Sequence, residues 1–161
     1  MLTSHTAESV QHAFEIGYVM VDTSADYQTQ AGIGKAMRRH DLPRDSLYIV
    51  MKVEPEEHGY HATVKNLADL KLAYADLVLI HRAPEKGVGE KLWKQLMQAR
   101  DDGLTRDIGV CSYKLEKLQA LRTPRVSCPR YTSSNGVHSA TASTCWATAA
   151  RNRWCCRPIA R

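Results

Sequence analysis

This chain is short of several things. It has a single phenylalanine, Phe14, and after Glu116 it holds no Asp or Glu at all. It has no run of roughly 18 or more apolar residues, so a membrane-spanning helix is not expected. Its first residues, Met1-Leu2-Thr3-Ser4-His5, show no basic segment followed by an apolar one. No secretory leader is therefore read there, and a cytoplasmic setting is expected. The pair of glycines in Gly32-Ile33-Gly34 lacks a third and lies in a helical stretch rather than after a strand, which excludes a phosphate-binding loop.

The missing acidic residues divide the chain. Residues 1–116 carry 14 Lys and Arg against 17 acidic residues, a net −3, while residues 117–161 carry 8 basic residues and a net +8. The basic character of the whole is thus a property of its last quarter. Cys128, Cys145, Cys155 and Cys156 lie there too. With His138 they match no common zinc spacing, because adjacent cysteines stand where a Cys-x2-Cys pair would be needed. No metal is expected. The Arg-rich end, with Tyr131, Trp146 and Trp154, offers only the salt-sensitive attraction that any basic segment has for polyanions, so no specific nucleic-acid partner is expected.

Apolar periodicity predicts helices over residues 5–16, 29–39, 61–71, 89–100 and 114–121. Thr6 is the expected N-cap of the first. Val10, Ala13 and Phe14, then Val64, Leu67 and Leu70, then Leu92, Trp93 and Leu96 are the expected inward stripes. Short apolar runs over 18–21, 47–53, 74–80 and 107–110 read as strands. Strand and helix alternate every 25–30 residues or so, the rhythm of βαβ units on a parallel sheet. A closed eight-stranded barrel usually needs about 250 residues, so a partial barrel and a small open parallel sheet both remain. After Pro124 the rhythm stops. The expected domains are an α/β unit over 1–124 and an irregular or disordered basic tail over 125–161.

Four residues with reactive side chains stand at or just beyond strand ends: Asp22, Tyr27, Lys52 and His81. In a barrel of alternating strands and helices, catalytic groups come from the carboxyl ends of several strands. A carboxylate, a phenol, an amine and an imidazole gathered there can move a proton. Singly, each has an ordinary reading: Asp22 as a turn cap, Tyr27 as a half-buried loop aromatic, His81 as a satisfied core histidine. Lys52 is the unusual one, because lysine is rarely buried without a partner.

These residues and their surroundings resemble the aldo-keto reductases over about residues 6–122. The resemblance rests on Gly17-Tyr18 through Asp22-Thr23 with Tyr27 five residues on, and on Leu42-Pro43-Arg44-Asp45 followed by Leu47-Tyr48-Ile49 and Lys52. It continues with Asn66-Leu67, then Tyr74-Ala75-Asp76-Leu77-Val78-Leu79-Ile80-His81, and with Trp93, Gly103 and Ile108-Gly109-Val110. It implies a partial (β/α)8 TIM barrel of about four parallel strands with an irregular tail. It also implies an NADPH- or NADH-dependent oxidoreductase that reduces a small aldehyde or ketone to an alcohol. Tyr27 would be the proton donor, Lys52 and Asp22 its tuning pair, and His81 would orient the carbonyl. A lone phenol ionises only near pH 10, and a neighbouring ammonium favours the phenolate. The hydride must come from a nicotinamide, because no side chain supplies one. Asp22, Cys111 and Ser112 are the implied cofactor contacts.

The chain also departs from the family. Gln28-Thr29-Gln30 stands where an Asn-Glu pair is common. Cys111-Ser112 replaces a Ser-Asn pair, so no carboxamide is offered to the nicotinamide amide. The family's first barrel strand and its later half, including the segment that grips the adenosine phosphate, find no counterpart. Back-translation of residues 133–158 with freely chosen codons, read one base earlier, permits a stretch similar to the family's next strand and helix. That makes the tail readable as a frameshifted remnant. The alternative expectation is a non-catalytic truncated remnant or interaction protein, self-associating through open sheet edges.

Overall fold

The computed structural model describes residues 2–40, 42–121 and 131–133. Five strands, β1 (Met20–Ser24), β2 (Tyr48–Val53), β3 (Ala75–Ile80), β4 (Thr105–Cys111) and β5 (Tyr131–Ser133), form one sheet in the order β1-β2-β3-β4-β5. Every neighbouring pair is parallel. Five helices alternate with them: α1 (Leu2–Glu15), α2 (Gln30–His40), α3 (Gly59–Leu70), α4 (Glu90–Asp101) and α5 (Leu115–Leu121). Among the described residues no helix is long and apolar enough to cross a membrane.

Strand order separates the two architectures left open above. A doubly wound sheet reverses its strand order and carries helices on both faces. Here the order is sequential, and the main core joins the helices to one face only. That core contains Val21, Ile49, Met51, Val53, Val78, Ile80, Ile108 and Val110 from the sheet, with Phe14, Ile33, Leu67, Leu70, Trp93, Leu96 and Leu118 from the helices. The alternate residues Val50, Leu77, Leu79 and Cys111, with Met20 beside them, form a second cluster without helical members. Such sequential winding is that of a (β/α)8 barrel, here in part. Because parallel strands are buried on both faces they read as continuous apolar runs, and all six residues of β3 are buried.

Several boundaries differ from expectation for physical reasons. Nothing in Leu2-Thr3-Ser4-His5 breaks a helix, so α1 begins at Leu2 and Thr6 lies inside it rather than at its cap. The first strand is set by pairing from Met20 opposite Tyr48 to Ser24 opposite Lys52. It therefore starts later than read, and Tyr18 and Val19 are exposed. In α3, Val64 is exposed although its spacing to Leu67 and Leu70 is helical, while Thr63 and Asn66 are buried instead. Both polar groups are satisfied: Thr63 Oγ1 donates to Gly59 O at 2.7 Å and Asn66 Nδ2 to Lys52 O at 3.2 Å. A buried hydrogen-bonded polar group costs far less than an unpaired one, so the helix can rotate Val64 outward. Residues 131–133 add a fifth strand inside the stretch read as irregular, and the rest of that stretch lies outside the described residues.

At the amino ends of the strands, Asp76 is 1% exposed and serves as an anchor. It accepts from Arg44 at 2.7 Å and from Ile49 N at 2.9 Å, and Arg106 stands 3.0 Å away. Both guanidiniums also lie over the Tyr74 ring, 4.0 and 4.7 Å from its centroid.

Gly34 marks where α2 meets the end of α3. A Cβ there would lie 2.6 Å from the carbonyl oxygen of Leu70. Gly34→Ala should therefore lower stability. The overpacking cost of about 1–3 kcal/mol exceeds the roughly 1 kcal/mol that alanine gains in a helix. The urea midpoint reports the sign, and a midpoint at or above that of the parent would reject this close approach.

Candidate active site

The carboxyl ends of β1, β2 and β3 gather the four reactive residues. Side chains alternate faces along a strand, so Asp22 and Ser24, Val50 and Lys52, and Leu77 and Leu79 point to the side away from the helices. Tyr27 sits in a single 3-10 turn, Ala25–Tyr27, that follows β1 and is closed by Gln28 in a left-handed conformation (φ 53°). His81 follows β3, and its N–H donates to Val53 O at 2.8 Å, tying the ends of β3 and β2 together.

The structure brings all four into one chain of contacts. Lys52 Nζ lies 2.5 Å from Asp22 Oδ1 and donates to the Tyr27 hydroxyl at 3.1 Å. The same hydroxyl is 3.3 Å from His81 Nε2. The Tyr27 and His81 rings meet edge to face, 5.6 Å between centroids. Lys52 is 4% exposed and Tyr27 45%, so the ammonium is sequestered while the phenol reaches solvent. Burial alone would depress the lysine. Hydrogen bonds to Asp22 and Tyr27, with the attraction of Asp22, outweigh it and hold the ammonium above its ordinary 10.5. Lys52 is thus a fixed cation against the phenol oxygen. The backbone that carries it is held from behind by Asn66.

Four further residues complete the cluster. Glu54, one residue beyond β2, is 8% exposed. Its Oε1 makes a very short contact with His81 Nδ1 and accepts from Ser24 Oγ at 3.3 Å. Its Oε2 accepts from Arg82 Nε at 2.9 Å and from a terminal nitrogen of the same guanidinium at 2.5 Å. That guanidinium also reaches Asp26 at 2.8 Å. The sequence reading passed over Glu54, Arg82 and Ser24. Period two from Lys52 was the available signal, since it places Glu54 on the same face. Asp26, Glu54 and His81 offer ligand atoms within 4.8 Å of one another. Arg82 already engages both carboxylates, so the trio stands as an ion-pair network.

Cys111 ends β4, and Ser112 is the residue after it. Cys111 is buried in the apolar cluster of Val50, Leu77 and Leu79, with Sγ 3.5 Å from Ser112 Oγ. Ser112 is exposed in a left-handed conformation, φ 57°. Among the described residues, no hydrogen bond or ion pair links either to the four-residue cluster. Of the other expected cofactor contacts, Asp22 has a side chain that is 41% exposed beside Lys52.

The family model "Aldo/keto reductase family" matches residues 2–140. A methylglyoxal reductase of Yersinia pestis is 35% identical over 119 residues, 72% of this chain and 43% of its own length. A glyoxal reductase of Bacillus subtilis is 35% identical over 122 residues, 73% of this chain and 44% of its own. The chain thus spans less than half the length of these curated relatives. In the crystal structure of an aldo/keto reductase from Brucella melitensis, the likeness has a TM-score of 0.85 at 21% identity, covering 96% of this chain and 62% of that one. A Bombyx mori aldo-keto reductase in complex with NADP gives 0.83 at 22% identity, covering 99% and 57%.

Hydrogen bonds from His81 and Arg82 more than offset the burial that would raise the Glu54 carboxyl, and hold it below its ordinary 4.5. A lowered carboxylate stabilises the fold fully above its unfolded value and loses that contribution as pH falls through the folded value. Glu54→Gln should therefore cost stability at about pH 7 and progressively less toward about pH 3. Thermal unfolding across that range measures it. A difference that does not change with pH would show that the carboxylate's charge contributes nothing.

Proposed function

The chain belongs to the aldo/keto reductase family, and from that premise we propose that it carries the proton-donating part of a nicotinamide-dependent reductase that converts a small aldehyde or ketone to an alcohol. The observation that carries this reading is the Tyr27 hydroxyl, held at 3.1 Å by the Lys52 ammonium and at 3.3 Å by the His81 ring. The names of the methylglyoxal and glyoxal reductases favour a small dicarbonyl substrate. The Bombyx neighbour's NADP favours NADPH.

The division of labour follows from charge and exposure. When bound, NADPH supplies hydride to the carbonyl carbon. Tyr27, part-exposed, donates its proton to the oxygen on which negative charge develops. The fixed Lys52 ammonium stabilises the phenolate left behind, at a distance where opposite charges attract strongly in a partly dry site. Asp22 holds Lys52 in place and keeps it charged. His81 lines the far side of the phenol and orients the carbonyl oxygen. Asp22 and Ser112 are the groups that would hold the nicotinamide end, with Cys111 packed beneath. The partner is a small carbonyl compound rather than a nucleic acid or a membrane.

The test has two steps. Titration of the full chain with NADPH, followed by tryptophan fluorescence and calorimetry, should give saturable binding. Tyr27→Phe should then retain binding and lose on the order of 10²-fold or more of kcat for methylglyoxal, the usual worth of a positioned general acid. Lys52→Met should fall at least as far. An absence of NADPH binding at millimolar concentration, or a Tyr27→Phe variant as active as the parent, rejects the reading.

A further inference from the structure

The contact between His81 and Glu54 carries a second, finer assignment, which rests on the reductase reading above. A carboxylate only accepts hydrogen bonds, so the ring nitrogen that faces it must carry a proton. Glu54 remains a carboxylate here, because its other oxygen is taken by two nitrogens of Arg82. Its facing oxygen is steadied by Ser24. Neither residue is free to swing. Val53 pairs with Ile80 at the ends of β2 and β3, and the His81 N–H bonds to Val53 O. The next residues on, Glu54 and His81, therefore leave adjacent strands side by side.

We propose that Glu54 is a positioning residue for the reaction: it holds a proton on Nδ1 of His81, and so fixes both the ring's rotation and the character of Nε2, the atom that faces the Tyr27 hydroxyl. With Nδ1 protonated, Nε2 of the neutral ring can only accept, and it takes the Tyr27 O–H while Lys52 donates to the same oxygen. Only the doubly protonated ring donates from Nε2. His81 can then reach a carbonyl oxygen as a donor only when it is charged, with Glu54 balancing that charge. The tautomer of a histidine is set by the partner of its other nitrogen, and here that partner is part of the protein rather than solvent.

The test is nitrogen-15 NMR of the His81 ring in the full chain, without cofactor or substrate, at a pH that leaves the ring neutral. The parent should show the proton on Nδ1. Glu54→Ala should move it to Nε2, so that the neutral ring becomes a donor on the side that faces the Tyr27 oxygen. The KM for NADPH should not change. A residue that merely packs would not move the tautomer. A parent ring protonated on Nε2, or the same tautomer in both proteins, overturns the proposal. If Glu54→Ala does not fold, the parent spectrum decides alone. The spectra need neither cofactor binding nor turnover, so a chain that fails to bind NADPH defeats the reductase reading and leaves this result readable.

Discussion

A buried ammonium is the constraint around which this site is organised. Transferring a lysine from water to a protein interior is costly unless the charge is paired and hydrogen-bonded. Lys52 meets that condition with two partners of different kinds: a carboxylate at 2.5 Å and a phenol at 3.1 Å. Asp22 supplies most of the charge balance, and that leaves the phenol oxygen polarised rather than neutralised. Strand pairing delivers both partners. Ser24 lies opposite Lys52 in the sheet, so Asp22 comes from the preceding inward position and Tyr27 from the turn just beyond.

Much of this was legible because parallel strands write themselves as unbroken apolar runs. Asp76-Leu77-Val78-Leu79-Ile80 leaves little doubt about β3, and His81 then falls at its carboxyl end. Lys52 inside Val50-Met51-Lys52-Val53 was the sharpest single signal, since no ordinary core position tolerates it. The misreadings have one cause, tertiary context overriding local pattern. Val64 was read inward because apolar spacing cannot foresee that Thr63 and Asn66 satisfy themselves on Gly59 and Lys52. Glu54 was passed over because it stands just outside the apolar run that ends at Val53, beside Pro55, Glu56 and Glu57. Only the register with His81 shows that the first of these carboxylates is buried.

The partial barrel shapes what these side chains can do. The face away from the helices carries Val50, Leu77, Leu79 and Cys111 as a dry floor, and Asp22, Lys52, Glu54 and His81 toward its carboxyl edge. Within the described residues, β1 and β5 each pair on one side only. Unpaired strand edges invite addition of further strands. Full closure of a barrel is what removes such edges. Closure matters for the chemistry as well as for the edges, because the pull of Lys52 on the phenol grows as water is excluded.

The two ends of the sheet show how one set of residue types is put to two uses. At the amino ends, Asp76 is fully buried, its carboxylate held by Arg44, Arg106 and a backbone N–H. That site pins strands, and its carboxylate is shut away from solvent. At the carboxyl ends, the charges are paired in series rather than around one atom. Asp22 holds Lys52, Lys52 holds Tyr27, and Tyr27 meets His81, which Glu54 and Arg82 hold from behind. Only the middle of that series, the Tyr27 oxygen, combines exposure with two polar neighbours that differ in charge. A barrel keeps stability at one end and reactivity at the other. Here the difference lies in whether the ion pairs close on themselves or lead to an atom that a substrate can reach.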